Sequence, residues 1–177
     1  MTSTSTRTDK FTRRDYMRLP EGFPAELIEG DFVKEPPPTP WHQGLVVRLL
    51  LRLAGVVGPQ RVLVSPTDVF VDDLNVLQPD LLVRAPGDAV TGPSAQPTIP
   101  ILAIEVLSPS TAKRDRNRKT AIYLRAGVVE VWLVDPERRA IEVHTSRGVH
   151  EFQRAAKATS HAVEGFALSW DELASNA

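Results

Sequence analysis

Cysteine is absent from the 177 residues of this chain. Disulfide bonds, thiolate zinc sites and cysteine nucleophiles are therefore excluded, and a reducing, cytoplasmic environment is the natural expectation. No apolar run reaches the roughly 18 residues of a membrane-spanning helix, and the start MTSTSTRTDK has no hydrophobic signal core. The net charge of -1 provides no overall basic field to gather nucleic acid or an anionic membrane, so any site for a polyanion must be local.

Several familiar catalytic motifs are missing as well. The chain contains no G-x-S-x-G elbow, no glycine-rich phosphate loop and no H-E-x-x-H pair, so the serine hydrolase, P-loop and zincin classes lose their usual support. A hydrophobic content of 42% and a charged content of 24% indicate a globular protein of one domain. Residues 1–18, rich in Thr, Ser and basic side chains, predict a flexible tail before a single domain over residues 19–177.

The order of predicted elements indicates a mixed α/β fold. A Gly-Asp turn between two β-prone segments predicts an N-terminal hairpin over residues 26–33, and the proline-rich residues 35–40 form a stiff connector. Helical spacing of apolar residues predicts helices over residues 41–54 and 112–126, with a short helix after Ser169. The predicted strands cover residues 61–65, 67–71, 77–84, 101–107, 129–134, 140–145 and 149–154. Together they predict one mixed sheet flanked by helices, with a parallel crossover unit over residues 101–134.

Glu105 is the most informative residue, because it is the only charge in the apolar run of residues 101–107. A lone buried carboxylate is costly unless a cation or hydrogen-bond donors compensate it, so one interpretation is a structural ion pair with an arginine of the next helix. Asp80 directly precedes another apolar segment, Leu81 to Val83, and a purely structural interpretation is that it caps a turn. Two acids on adjacent strands would also suit a hard cation such as Mg²⁺.

Lys119 is the third candidate, because a helical wheel places it among inward-facing positions. Its wheel neighbours are Ala112, Asp115, Ile122, Tyr123 and Ala126. An inward ammonium beside Glu105 is one interpretation, and an exposed i,i+4 pair with Asp115 is the other. The same helix carries a cationic cluster that suits either a phosphate backbone or a solvated helix face. Its members are Lys113, Arg114, Arg116, Arg118 and Lys119.

Four segments resemble, in order, successive blocks of the Uma-two family of bacterial restriction-type endonucleases. They are ELIEGDFV, PTPWHQGLVVRLL, VSPTDVFVDDLNVLQPDLLV and IEVLSPSTAKRDRNRKTAIYLRAGVVEVWLVDP, and the match spans about residues 26–144. That family is placed in the PD-(D/E)XK nuclease superfamily. The resemblance therefore implies a restriction-endonuclease-like core, a mixed sheet flanked by helices with a metal site at one end of its central strands.

The resemblance also assigns residues. The P-D pair of the superfamily falls on Pro79 and Asp80, and the acid of the (D/E)XK element falls on Glu105. The position two residues later holds Leu107, and Lys119 matches the lysine that this family carries on the following helix. Residues 41–54 contain no acid, so four other residues are candidates for an accessory role at the site: His42, Gln43, Gln78 and Glu29.

The leading hypothesis is a hydrolase, an endonuclease that cleaves DNA with Mg²⁺ or Mn²⁺. In it Asp80 and Glu105 hold the metal, while Lys119 positions or deprotonates water and offsets charge in the transition state. The rival is a non-catalytic module that keeps the nuclease fold to bind nucleic acid or a protein. A third interpretation is a buried ion-pair network of the same three residues. A homodimer is also expected, because cutting both DNA strands commonly needs two active sites.

Overall fold

The computed structural model describes residues 10–20, 22–34, 36–88, 90, 92 and 98–175. The strands are β1 (Ala25–Ile28), β2 (Asp31–Lys34), β3 (Val62–Val64), β4 (Val69–Asp72), β5 (Asn75–Leu77), β6 (Leu81–Val83), β7 (Leu102–Val106), β8 (Glu130–Asp135), β9 (Ala140–Thr145), β10 (Gly148–Gln153), β11 (Ala158–Thr159) and β12 (Ala167–Leu168). The helices are α1 (Arg13–Tyr16), α2 (Pro40–Val57), α3 (residues 112–125) and α4 (Trp170–Ala174), with 3-10 turns at Pro59–Arg61 and Pro86–Asp88. None of these described helices is both long and apolar enough to cross a membrane.

The largest sheet has six strands in the order β10-β9-β8-β7-β6-β3. Strands β7 and β8 pair in parallel, and the other neighbours pair antiparallel. The predicted mixed sheet and its parallel pair are therefore confirmed. All five residues of β7 are buried, as expected for an apolar strand covered on both faces.

Helices cover both faces of this sheet, and the alternation of β7 decides which face each side chain reaches. Ile104 and Val106 belong to the core under α2, whose Leu45 and Leu49 are fully buried. Ala103 belongs to the core under α3. Because successive strand residues point to opposite faces, the side chain of Glu105 lies on the α3 face.

The prediction of a single sheet is wrong, since the N-terminal hairpin belongs to a second, four-stranded sheet of order β2-β1-β5-β4. The predicted strand at 77–84 is divided: β5 pairs with β1 in this second sheet, whereas β6 pairs with β7 in the large one. Pro79 stands at the break, where it lacks the amide donor that an inner strand needs. The break places Asp80 at the junction of the two sheets. Strands β11 and β12, which form a separate pair, were not predicted.

The structure also corrects the predicted tail, because residues 10–18 pack against the second sheet. The amide of Phe11 donates to the carbonyl of Gly30, and the Phe11 ring lies 4.6 Å from that of Phe32. Tyr16 on α1 is buried. Two aromatic side chains thus attach this segment to the sheet, although its largely polar composition predicted a flexible tail. Residues 1–9 lie outside the described residues.

Candidate active site

Asp80, Glu105 and Lys119 line one open cavity of about 1310 Å³. They come from the β5–β6 junction, from the penultimate position of β7 and from the middle of α3. The convergence expected from the sequence is thus present. His42, Gln43, Gln78, Arg114 and Asp115 line the same cavity, as do apolar and proline residues of α2 and the N-terminal segments.

The Asp80 carboxylate is held in place at both oxygens. Oδ2 accepts a hydrogen bond of 2.7 Å from the backbone amide of Val106, and Oδ1 lies 3.0 Å from Nε2 of His42. The hydrogen bond with Asp80 raises the pKa of His42, and this effect outweighs the opposing effect of partial burial. His42 lies at the start of α2, where the Thr39 hydroxyl accepts a hydrogen bond from the His42 backbone amide.

Lys119 faces inward from a wide turn of α3. Residues Asp115–Lys119 are π-helical, and the amide of Thr120 donates to the carbonyl of Asp115, five residues earlier. The Thr120 hydroxyl donates to the same carbonyl at 2.8 Å. Both Asp115 and Lys119 are buried in this turn. The inward orientation predicted for Lys119 is therefore confirmed, and the exposed pair with Asp115 is not what the structure contains.

Two carboxylates contact the Lys119 ammonium. Nζ lies 2.7 Å from Oε1 of Glu105 and 2.9 Å from Oε1 of Glu26, and the three side chains are at most 6% exposed. Burial by itself lowers the pKa of Lys119, but the two carboxylates outweigh it and raise that pKa well above its ordinary value. Lys119 is therefore a permanent cation at neutral pH.

Burial also raises the pKa of two other side chains at this site. Burial raises the pKa of Glu105 well above its ordinary range, and the Lys119 ammonium offsets this only in part. The Tyr123 hydroxyl donates to Oε1 of Glu105 at 2.9 Å. Burial and the nearby carboxylate raise the pKa of Tyr123 as well, so its hydroxyl stays protonated and remains a donor. Asp115, which lies 3.4 Å from Nε of Arg114, adds a further acid beside Glu105.

The predicted accessory residues have different outcomes. The Gln78 side chain donates to Tyr16 and Asp68, while its backbone amide donates to Oε1 of Glu26 at 2.6 Å. Glu29 lies outside the cavity lining, where it is half exposed and pairs with Arg118 at 2.8 Å. The hairpin acid that reaches the site is therefore Glu26, three residues earlier.

Glu26 was missed by sequence reasoning, although a usable signal existed. It is the only charged residue of β1, whose four residues Ala-Glu-Leu-Ile are all buried. This is the same pattern of a lone acid in an apolar strand that identified Glu105. The signal was weaker because a four-residue strand offers less apolar context than a seven-residue run.

The cationic cluster of α3 is not a continuous surface for a phosphate backbone. Arg116 bonds Asp135 and lies 2.8 Å from Oε1 of Glu142. Arg118 pairs with a hairpin acid, and Lys119 lies in the cavity. These side chains therefore attach α3 to the two sheets.

The contact between Arg116 and Glu142 predicts a pH-dependent contribution to stability. Burial opposes ionisation of Glu142, but hydrogen bonds with His144 and Arg116 outweigh it and lower the pKa of Glu142. A depressed pKa stabilises the folded state above the unfolded-state pKa, and this contribution is lost as the pH falls below it. The Tm difference between wild type and Glu142→Gln should therefore shrink from pH 7 to about pH 3. Exposed Glu137→Gln is the control, and a pH-independent difference for Glu142→Gln would contradict the assignment.

The donor set fits a hard divalent cation bound mainly by substrate and water. Within the described ranges, no group of three or more His, Asp or Glu side chains is arranged to hold a metal ion. Mg²⁺ commonly binds through only one or two carboxylates, with waters and substrate phosphates as its other ligands. Two carboxylates, Asp80 and Glu105, line one open cavity and meet that requirement.

The chain thus has a mixed sheet covered by helices on both faces, with two acids and one lysine at a single cavity. The chain belongs to the Uma2 family, whose description is "Putative restriction endonuclease" and whose sequence model matches residues 13–171. The resemblance inferred from the sequence is therefore confirmed, and the family supports a nuclease function.

A solved structure has the same fold. It is described as a "putative nuclease belonging to DUF820" from Anabaena variabilis, with a TM-score of 0.80 and 22% sequence identity. The alignment covers 92% of this chain and 97% of that chain. The predicted fold class is thereby confirmed. No curated protein matches the sequence significantly.

Proposed function

We propose that this protein is a divalent-metal-dependent endonuclease that hydrolyses phosphodiester bonds of DNA. The observation that carries the proposal is the convergence of Asp80, Glu105 and Lys119 on one open cavity. Two carboxylates and one ammonium are the groups that metal-assisted phosphodiester hydrolysis needs at a single point.

Each residue has a distinct role in this proposal. Asp80 and Glu105 hold Mg²⁺ or Mn²⁺, and the bound ion supplies Lewis-acid polarisation of the phosphate and a water of lowered pKa. The Val106 amide and His42 orient the Asp80 carboxylate. Lys119, kept protonated by its carboxylate neighbours, stabilises the negative charge that develops on the phosphate as water attacks and the leaving oxygen departs. Of the two roles expected for Lys119, we therefore favour charge stabilisation over deprotonation of water.

The cavity is lined by basic side chains, although the chain as a whole has a net charge of only -1. Lys34 and Arg114 line it together with Lys119, so the cavity carries cations as well as acids. A polyanionic DNA backbone would be held by these cations and by the metal. We further propose a homodimer, because a symmetric pair of sites would cut both strands of a duplex.

The test is cleavage of supercoiled plasmid and branched DNA by the wild-type protein with Mg²⁺ or Mn²⁺. We expect cleavage that EDTA abolishes and that Asp80→Asn reduces by about a thousandfold or more, since a metal supplies several kcal/mol of transition-state stabilisation. Asp171→Asn, an exposed change on α4 outside the cavity, is the matched control and should cleave like wild type. Equal rates for wild type and Asp80→Asn would contradict the proposal. Absence of both cleavage and Mn²⁺ binding would favour the non-catalytic module.

A further inference from the structure

Glu26 is a buried acid at the back of the site. Its side chain is 0% exposed, and it is not among the residues that line the cavity, whereas Glu105 and Lys119 are. Its Oε1 accepts the Gln78 amide at 2.6 Å and lies 2.9 Å from Nζ of Lys119. Its Oε2 is buried and has no hydrogen-bond partner among the described residues. Glu26 therefore contacts the site through Lys119 and cannot reach a substrate in the cavity directly.

The charges of the three buried groups explain why a second acid stands there. If Lys119 had Glu105 as its only partner, the pair would be neutral, and a divalent cation would compete with an ammonium 2.7 Å from its ligand. With Glu26 present, the Lys119 charge is balanced from behind, and one net negative charge remains beside the cavity. Coulomb interactions are strong where water is excluded, so this balance affects how well Glu105 attracts a cation.

Glu26 also connects the two acids that face the cavity. Glu26 accepts a hydrogen bond from the backbone amide of Gln78, which precedes Asp80 by two residues. The same oxygen contacts Lys119, which contacts Glu105. Strand β1 thereby links the β5–β6 junction to α3.

We propose that Glu26 is a positioning residue: it holds the Lys119 ammonium from behind and shares its positive charge, so that this charge does not act on Glu105 alone when a metal binds. This inference rests on the proposed metal-dependent nuclease function. It assigns the hairpin strand β1 a role in metal affinity, although β1 contributes no metal ligand.

The first test measures the affinity for Mn²⁺ in the absence of DNA, by calorimetry and by the EPR signal of free Mn²⁺. Glu26→Gln keeps the shape of the side chain and removes its charge. We expect it to bind Mn²⁺ about tenfold more weakly than wild type, because Lys119 then pairs with Glu105 alone. Glu130→Gln is the matched control: Glu130 is also 0% exposed but lies outside the cavity lining, and its loss should leave Mn²⁺ affinity unchanged.

A second test asks whether Glu26 acts through Lys119 and remains informative if Glu26→Gln alone is poorly folded. Lys119→Met leaves Glu26 as an uncompensated buried acid, and adding Glu26→Gln removes that charge. We expect the double variant to have a higher Tm than Lys119→Met alone. A Tm equal to or below that of Lys119→Met would overturn the inference.

The outcomes separate this inference from the proposed function. If wild type binds Mn²⁺ and Asp80→Asn does not, while Glu26→Gln binds as tightly as wild type, the role of Glu26 is wrong and the nuclease proposal stands. If wild type itself binds no Mn²⁺, both fail. Weaker binding by Glu26→Gln with unchanged binding by Glu130→Gln supports both.

Discussion

Glu105→Gln should reduce DNA cleavage by about a thousandfold or more while leaving the Tm close to that of wild type. The change removes one of the two proposed metal ligands, so the rate depends on it strongly. The fold tolerates it because Lys119 keeps Glu26 as a partner at 2.9 Å, and the buried pair that remains is neutral. The measurements are plasmid cleavage with Mg²⁺ and thermal unfolding of the metal-free protein.

Glu130→Gln is again the matched control for the loss of a buried carboxylate. Glu130 accepts the Ser160 hydroxyl at 2.6 Å and the His161 amide at 2.8 Å, so its replacement should lower the Tm and leave cleavage per folded molecule unchanged. A large loss of stability in Glu105→Gln with cleavage retained would favour the interpretation of a purely structural ion-pair network.

Lys119→Met should have the largest effect on stability of any single change at the site. It leaves Glu26 and Glu105 buried without a cation, and breaking a buried ion pair in this way typically costs about 3–5 kcal/mol. Cleavage should be lost as well, because no ammonium remains beside the phosphate. Chemical unfolding in urea at pH 7 measures the first effect, and plasmid cleavage measures the second.

The pH dependence of the same variant provides a check on its cause. Without Lys119, burial in the folded protein favours the protonated, neutral form of Glu26 and Glu105. The pKa of these carboxyl groups is therefore higher in the folded state than in the unfolded state. Such groups destabilise the folded state most at high pH, and the penalty falls as they bind protons. The stability gap between Lys119→Met and wild type should therefore narrow from pH 8 to pH 5. A gap that stays constant from pH 8 to pH 5 would show that lost packing, and not unpaired charge, causes the effect.

Local rules applied to the sequence made Glu105 and Lys119 candidates, and the resemblance to the Uma-two family assigned Asp80, whose local signal is weak by itself. Glu105 was identifiable because a charge in a seven-residue apolar run has to be compensated. Lys119 was identifiable because helical periodicity placed it with Ile122 and Tyr123, and both of these are buried in the structure. The local signal at Asp80 is a proline before an apolar segment, which indicates the start of a strand. Each signal depends on residues within a few positions of the one it identifies.

Contacts between distant segments could not be found in this way. The wide turn at Asp115–Lys119 was not predicted, although the inward face of Lys119 was. The two sheets were merged into one because β5 and β6 both contain buried apolar residues, and their pairing partners, which the sequence does not show, distinguish them. The packing of residues 10–18 depends on Phe32 and Gly30 in a separate hairpin.

The sequence by itself determined most of the helices and strands, the family, and the candidate residues Asp80, Glu105 and Lys119, since propensity, periodicity and the cost of burying charge act locally. The tertiary structure alone decided that Glu26, and not Glu29, meets the Lys119 ammonium. Both acids stand in the same hairpin, but Glu26 lies within buried β1, while Glu29 stands at the turn, at a positive φ of 52°. Which of two nearby acids reaches a lysine from a distant helix depends on how the sheets pack, and no local pattern encodes that packing.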